Sequence, residues 1–221
     1  MTRRFRDRAE AGQLLAEQLR AYAGRPDVLV LALPRGGVPV GYEIAMALGV
    51  PLDVMIVRKL GTPGQEELAL GAIASGGVRV MNADALPLLS LSGEDLARVI
   101  AREQRELERR ERLYRGQRPF PDIHGKTVLL VDDGIATGAT MRAAVAALKQ
   151  MQPAKIVVAT PVAAPSACAE IRAGNAQGLC VCLETPEPFF AIGLWYDDFG
   201  QTTDEEVRGL LARVRRQETD A

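Results

Sequence analysis

Two adjacent carboxylates, Asp132 and Asp133, stand at the end of the apolar run 128–131, and the small-residue segment Gly134-Ile135-Ala136-Thr137-Gly138-Ala139-Thr140 follows them. A continuous apolar run of this kind predicts a strand buried on both faces of a parallel sheet. With little side-chain bulk between Ala136 and Thr140, backbone N–H groups can close around an anion. A helical pattern from Met141 aims its positive end at the same place. Thr137 and Thr140 add hydroxyl donors. Carboxylates accept hydrogen bonds from sugar hydroxyls, so acids beside an anion nest describe a site for a sugar phosphate. The plainer alternative is a strand-to-helix turn in which Asp133 caps and Gly134 turns. A P-loop would need a lysine after Gly138, and a dinucleotide turn would need glycines spaced G-x-G-x-x-G; this segment has neither.

Positive charge is placed to match. Leu33-Pro34-Arg35-Gly36-Gly37 ends an earlier apolar run, 28–33, and Arg58-Lys59 closes the next, 52–57. Open parallel sheets bind ligands outside the carboxyl ends of their strands. Glycines there let the backbone approach a ligand, and arginine supplies a fixed charge. A polar segment from Gly61 to Glu67 continues through Ser75-Gly76-Gly77, consistent with a hairpin, and offers Glu66 and Glu67 as candidates for moving a proton.

The apolar strand, two acids, three linkers and Thr-Gly-x-Thr resemble the signature of type I phosphoribosyltransferases. The resemblance implies an α/β fold with a central, mainly parallel sheet flanked by helices and a small C-terminal hood. It implies that Asp132 and Asp133 hold the ribose hydroxyls of phosphoribosyl pyrophosphate (PRPP). Ala136, Thr137, Gly138, Ala139 and Thr140 would hold its 5-phosphate. Arg35, Gly36, Gly37, Arg58 and Lys59 would face its pyrophosphate. Mg²⁺ would arrive with PRPP, with Asp132 and Asp133 as the only candidate protein ligands. The segment after Gly61 would be the mobile loop that closes over the reaction. The expected reaction moves the phosphoribosyl group to a nitrogenous base, a purine among the candidates, with release of pyrophosphate. Relatives are commonly homodimers. A regulator that keeps the fold to sense PRPP or a nucleotide is the alternative.

The hood is expected in 188–199, where five of twelve residues are aromatic. Phe190, Ile192 and Asp197 follow the spacing of purine-salvage members at the base site, and Trp195 is a further candidate of the hood; a purely structural hydrophobic clasp is the other reading. Two departures weaken a match to hypoxanthine or guanine: Ala136 stands where those members carry an acid, and 159–163 lacks their lysine. The full-length pattern, with Arg-Lys-Leu-Gly and Trp-Tyr-Asp-Asp-Phe, looks most like a bacterial group of phosphoribosyltransferases whose acceptor is not established.

The elements that must position these groups alternate strand and helix, as a doubly covered parallel sheet requires. Helices are expected over 5–22, 38–48 and 141–151, a long charged one over 92–117, and strands over 156–160 and 179–183. At 221 residues the chain reads as one domain: a core of 25–183, a hood of 184–221 with a contribution from 1–24, and the helical insertion 92–117. The 27 basic and 28 acidic side chains give no reason to expect nucleic acid. No apolar run approaches the ~20 residues of a membrane span, and a cytoplasmic location is expected. Cys180 and Cys182 alternate along one strand face, but a single histidine leaves them without the partners of a zinc site. His124 reads as a surface residue. The acid pair of a receiver domain follows the first strand, whereas this one lies past the middle of the chain.

Overall fold

The computed structural model describes residues 4–62, 65–82, 92–174 and 179–220, with the backbone alone for 62, 65–69 and 218–220. The chain runs α1 (Arg8–Gln18), β1 (Val28–Ala32), α2 (Gly37–Leu48), β2 (Leu52–Val54), β3 (Val57–Thr62), β4 (Gln65–Ala74), β5 (Val78–Met81) and α3 (Gly93–Arg115). It continues with β6 (Thr127–Val131), α4 (Ala139–Gln150), β7 (Lys155–Val162), α5 (Pro165–Gly174), β8 (Leu179–Glu184) and α6 (Asp204–Asp220). Five strands form a sheet in the order β2-β1-β6-β7-β8, and every pairing in it is parallel. Helices cover both faces, as expected.

The apolar strand runs explain the two cores. Side chains alternate across a strand, so one run feeds both faces. Val28, Val30 and Ala32 join Leu129, Val131, Val157 and Ala159 under α1, α2 and α6. Leu29, Leu31 and Leu33 join Val128, Leu130, Ile156 and Val158 under α4 and α5. A sheet buried this way must present its strand ends, not its faces, to a ligand.

The expected strand over 52–57 is two strands in two sheets. β2 ends at Val54, and β3 starts a separate antiparallel sheet, β3-β4-β5. Met55 and Ile56 carry the crossing: Met55 N–H donates to Ala32 O at 2.9 Å and Ile56 N–H to Ser75 Oγ at 3.1 Å. Both residues are buried, so hydropathy shows no break between the sheets.

The helix expected over 5–22 starts at Arg8, because Asp7 caps it by accepting from Glu10 N–H at 2.8 Å. Phe5 instead forms a parallel bridge with Tyr196, tying the N-terminal segment to the aromatic C-terminal one. The charged helix α3 begins at its Ser92 cap as expected. It packs on β3, β4 and α6, and its buried Arg115 binds Asp53 at 2.9 Å and Val54 O at 2.7 Å. Helices α5 and α6 are additional to the expected elements.

Candidate active site

Strand β6 delivers Asp132 and Asp133 to the carboxyl end of the main sheet, beside the end of β1. The loop after β1 meets them there. A Cβ on Gly36 would lie 2.0 Å from Asp133 Oδ2, and one on Gly37 3.0 Å from Asp132 Cα. Only glycines allow the two loops to approach so closely. Two segments about a hundred residues apart thus form one wall. The Pro34–Arg35 peptide leading into it is cis.

The acids differ in surroundings. Asp132 Oδ1 accepts from Asp133 N–H at 2.9 Å. Burial pushes the Asp132 carboxyl well above the usual carboxylate range, and the Asp133 charge adds to the rise. Asp133 is held instead by Arg8, whose Nε donates to Oδ2 at 2.7 Å. Tyr196 Oη donates to the Asp133 carbonyl at 2.6 Å, and burial raises that phenol.

The loop beyond the acids borders a cavity of about 230 Å³ lined by residues 132–141 and Ile192. Helix α4 begins at its mouth. Its N-cap, Gly138, has φ +71°, a left-handed conformation that suits glycine, and contributes no side-chain cap. The nearest substitute is Thr137 Oγ1, 3.5 Å from Ala139 N–H. Backbone donors of the first turn are therefore available to an anion, and the helix dipole favours one. Ala136, Thr137, Gly138, Ala139 and Thr140 all line this cavity.

The cationic residues divide. Successive side chains on a strand point to opposite faces. Arg58 turns to α3 and binds Glu103 through Nε at 2.9 Å and Nη2 at 2.6 Å. Glu103, 5% exposed, takes its charge. Lys59 turns the other way, into a cleft of about 760 Å³ that also touches Thr137, Ala139 and Arg142. Arg35 sits 3.8 Å from Asp204, which accepts from Tyr114 Oη at 2.6 Å. Glu66 and Glu67 have side chains outside the described residues.

The hood residues also divide. Ile192 reaches the site, with Cγ2 2.3 Å from a Cβ built on Gly134. Trp195 packs into the cluster of Phe5, Ala11, Val162 and Tyr196. Asp197 is exposed and pairs with Arg4 at 3.2 Å, while Phe190 is 79% exposed. The spacing that suggested these residues says nothing about which way each one faces.

Three residues at the acids were not among the expected site residues: Arg8, Tyr196 and Phe199. Arg8 lies 3.9 Å above the Phe199 ring and donates to Gly200 O at 2.7 Å. Tyr196 stacks on Phe199 at 4.9 Å. The aromatic density of 188–199 was the available signal for the last two. For Arg8, only the N-terminal contribution to the hood hinted at it.

Comparison with known proteins agrees with this architecture. The phosphoribosyl transferase domain family matches residues 6–194. A Mycobacterium tuberculosis relative, whose name assigns it provisionally to the phosphoribosyl transferases, is 45% identical over 218 residues, 98% of this chain and 48% of its own length. This chain therefore spans about half the length of the curated relatives it matches. The crystal structure of TT1426 from Thermus thermophilus superposes with a TM-score of 0.83 at 45% identity, covering 95% of this chain and 98% of that one. AQ2163 from Aquifex aeolicus, at 12% identity, 84% and 78% coverage and a TM-score of 0.53, shares the fold. By its sequence, this chain belongs to the phosphoribosyl transferase domain family.

Proposed function

We propose that the chain is a Mg²⁺-dependent phosphoribosyltransferase that transfers the 5-phosphoribosyl group of PRPP to a nitrogenous base and releases pyrophosphate. The observation that carries this reading is the contact of Gly36 and Gly37 with the two acids, beside a helix start with no side-chain cap. That contact supports the reading, because the segments assigned to pyrophosphate, ribose and phosphate then adjoin one another.

In this reading the 5-phosphate sits on the Ala136–Thr140 backbone at the start of α4. Asp132 and Asp133 accept from the ribose hydroxyls, and their charge favours the oxocarbenium-like sugar as its bond to pyrophosphate lengthens. Gly36 and Gly37 amides, Arg35 and Lys59 receive the leaving group. No protein nucleophile is required; orientation and charge do the work. The base would rest against Ile192. Two carboxylates suit Mg²⁺, which takes hard oxygen ligands and is usually held by one or two carboxylates together with substrate phosphates. Asp132 is the freer candidate ligand, since Arg8 already holds Asp133. When bound, the ion would neutralise charge on the departing pyrophosphate.

Pyrophosphate release measured with PRPP, Mg²⁺ and a panel of purine and pyrimidine bases tests this. Turnover with one base supports a transferase. One observation favours the alternative of a non-catalytic sensor: Arg8 occupies Asp133 Oδ2, leaving fewer lone pairs for ribose. PRPP binding with no turnover on any base would select that alternative.

A further inference from the structure

Away from the sugar-phosphate site, the three cysteines converge. Cys180 and Cys182 share a face of β8, as their alternation predicts, and α5 lays Cys168 over them. The Sγ atoms of Cys168 and Cys180 are 3.3 Å apart, those of Cys168 and Cys182 3.4 Å, and those of Cys180 and Cys182 3.6 Å. All three thiols are free. A third thiol joins the strand pair here, because Cys168 comes from a helix whose packing the spacing did not reveal. Among the described residues, no histidine or carboxylate belongs to this group.

We propose that Cys168, Cys180 and Cys182 form a binding site for a trivalent thiophilic metalloid, taken up from water as arsenite. Three arguments favour this ligand over a divalent or monovalent metal. The first is coordination number. Structural zinc takes four protein ligands, and this cluster offers three, which satisfies a pyramidal trivalent centre with a lone pair.

Spacing is the second argument. A tetrahedral ion with Zn–S bonds of about 2.3 Å would hold its sulfurs about 3.8 Å apart, whereas near-right angles at bonds of similar length hold them about 3.3 Å apart. Both separations from Cys168, 3.3 and 3.4 Å, fall toward the smaller value, and the 3.6 Å between Cys180 and Cys182 lies between the two.

The third is charge. Cys168 and Cys180 belong to the apolar core between the main sheet, α4 and α5. A net charge there would be costly. Three thiolates leave one negative charge on a divalent ion and two on a monovalent one, but none on a trivalent centre.

The binding reaction balances without a redox partner. Arsenite, As(OH)₃, exchanges three As–O bonds for three As–S bonds. Each thiol proton leaves with a hydroxide as water, and arsenic stays trivalent. Occupancy would also be felt at the phosphate loop. Ala167, next to Cys168, lies 3.3 Å from a Cβ built on Gly138. On the same helix, Glu170 binds Arg142 at 2.6 Å, and Arg142 donates to Thr137 O at 2.9 Å.

The test uses the whole chain, kept reduced with a phosphine and titrated with arsenite under native mass spectrometry. The expected result is one arsenic per chain, a mass gain of one arsenic less three hydrogens, and joint protection of the three thiols from alkylation. Cys168→Ser, Cys180→Ser and Cys182→Ser should each weaken binding about a hundredfold, the scale of losing one arm of a multidentate grip. Parallel titrations use Zn²⁺ and Cu(I). An ion from either that arsenite cannot displace overturns the trivalent assignment, as does arsenite binding that survives Cys168→Ser. Three thiols that stay open to alkylation in the unaltered chain mean that the cluster is core packing only. That readout decides the matter even if a serine variant fails to fold. Failure here leaves the transferase reading untouched, because no cluster residue contacts the proposed PRPP site.

Discussion

Arg8 and Asp133, 125 positions apart in sequence, are joined by a 2.7 Å ion pair in which each side chain is 13% exposed. The pair fastens the first helix to the acid at the centre of the candidate site. Arg8 also sits over Phe199, its Cζ 3.9 Å from the ring centroid, so one side chain locks the N-terminal segment, the acid loop and the hood together. Removing one partner of a buried pair strands the other charge. Arg8→Ala should therefore lower unfolding free energy by about 3 kcal/mol in denaturant titrations. Arg8→Lys should recover only part of it, since lysine keeps the charge but loses the planar stack.

Asp132 gives a prediction with opposite signs for stability and activity. Its folded carboxyl titrates well above the unfolded value of about 3.9. The native state then binds this proton more tightly than the unfolded chain does. The resulting stability is present at low pH and is lost as pH climbs from about 4 through the raised value. Asp132→Asn removes the titration and can still accept from Asp133 N–H. Melting curves across this window should be flatter for the variant, and its Tm near neutral pH higher than wild type. Its turnover should fall about a hundredfold, the scale of one aligned electrostatic group.

Gly36→Ala tests close approach without backbone strain. Gly36 has φ −60° and ψ −32°, a region alanine adopts readily. Its new methyl would nonetheless meet Asp133 Oδ2 at 2.0 Å, so the carboxylate must move. Displacement of about 1 Å at a reacting centre costs about a hundredfold in rate. Steady-state kinetics should show that loss, with far-UV circular dichroism unchanged.

Arg58 and Lys59 are neighbours with separate tasks. Arg58→Ala leaves buried Glu103 with Arg102 alone, 2.9 Å away, and should cost about 2 kcal/mol of stability. Lys59→Ala removes an exposed side chain and should change stability by under about 0.5 kcal/mol. Its KM for PRPP should rise about tenfold or more, the value of a hydrogen bond to a charged group. Equal behaviour of the two variants in both assays would contradict the division.

Local pattern and spacing carried most of the fold to the reader of the sequence, and less of the site. Asp132, Asp133 and the Ala136–Thr140 loop are contiguous, so a strand, a turn and a helix start place them together with no long-range information. Gly36 and Gly37 were legible because parallel strands share a carboxyl edge. The pairing of Arg58 with Glu103 was not legible, because the chain changes sheets through two buried residues, Met55 and Ile56, which look like strand interior. Arg8 escaped notice because a lone arginine at the first position of a helix has no signature, and its partner lies across the molecule. Cys168 escaped for the same reason. Phe190, Trp195 and Asp197 show a third limit: a motif's spacing does not fix rotation in an irregular segment, where neither a period of two nor one of 3.6 applies.

The central claim is that the acid pair and the glycine loop grip one phosphorylated pentose. Isothermal titration of PRPP with Mg²⁺ into the wild-type chain, and into Asp132→Asn/Asp133→Asn, tests it most directly. The account predicts one-to-one binding to the wild type and no measurable heat with the double variant, which should remain folded by circular dichroism. Absence of heat with the wild type, or equal affinity in both proteins, would contradict it.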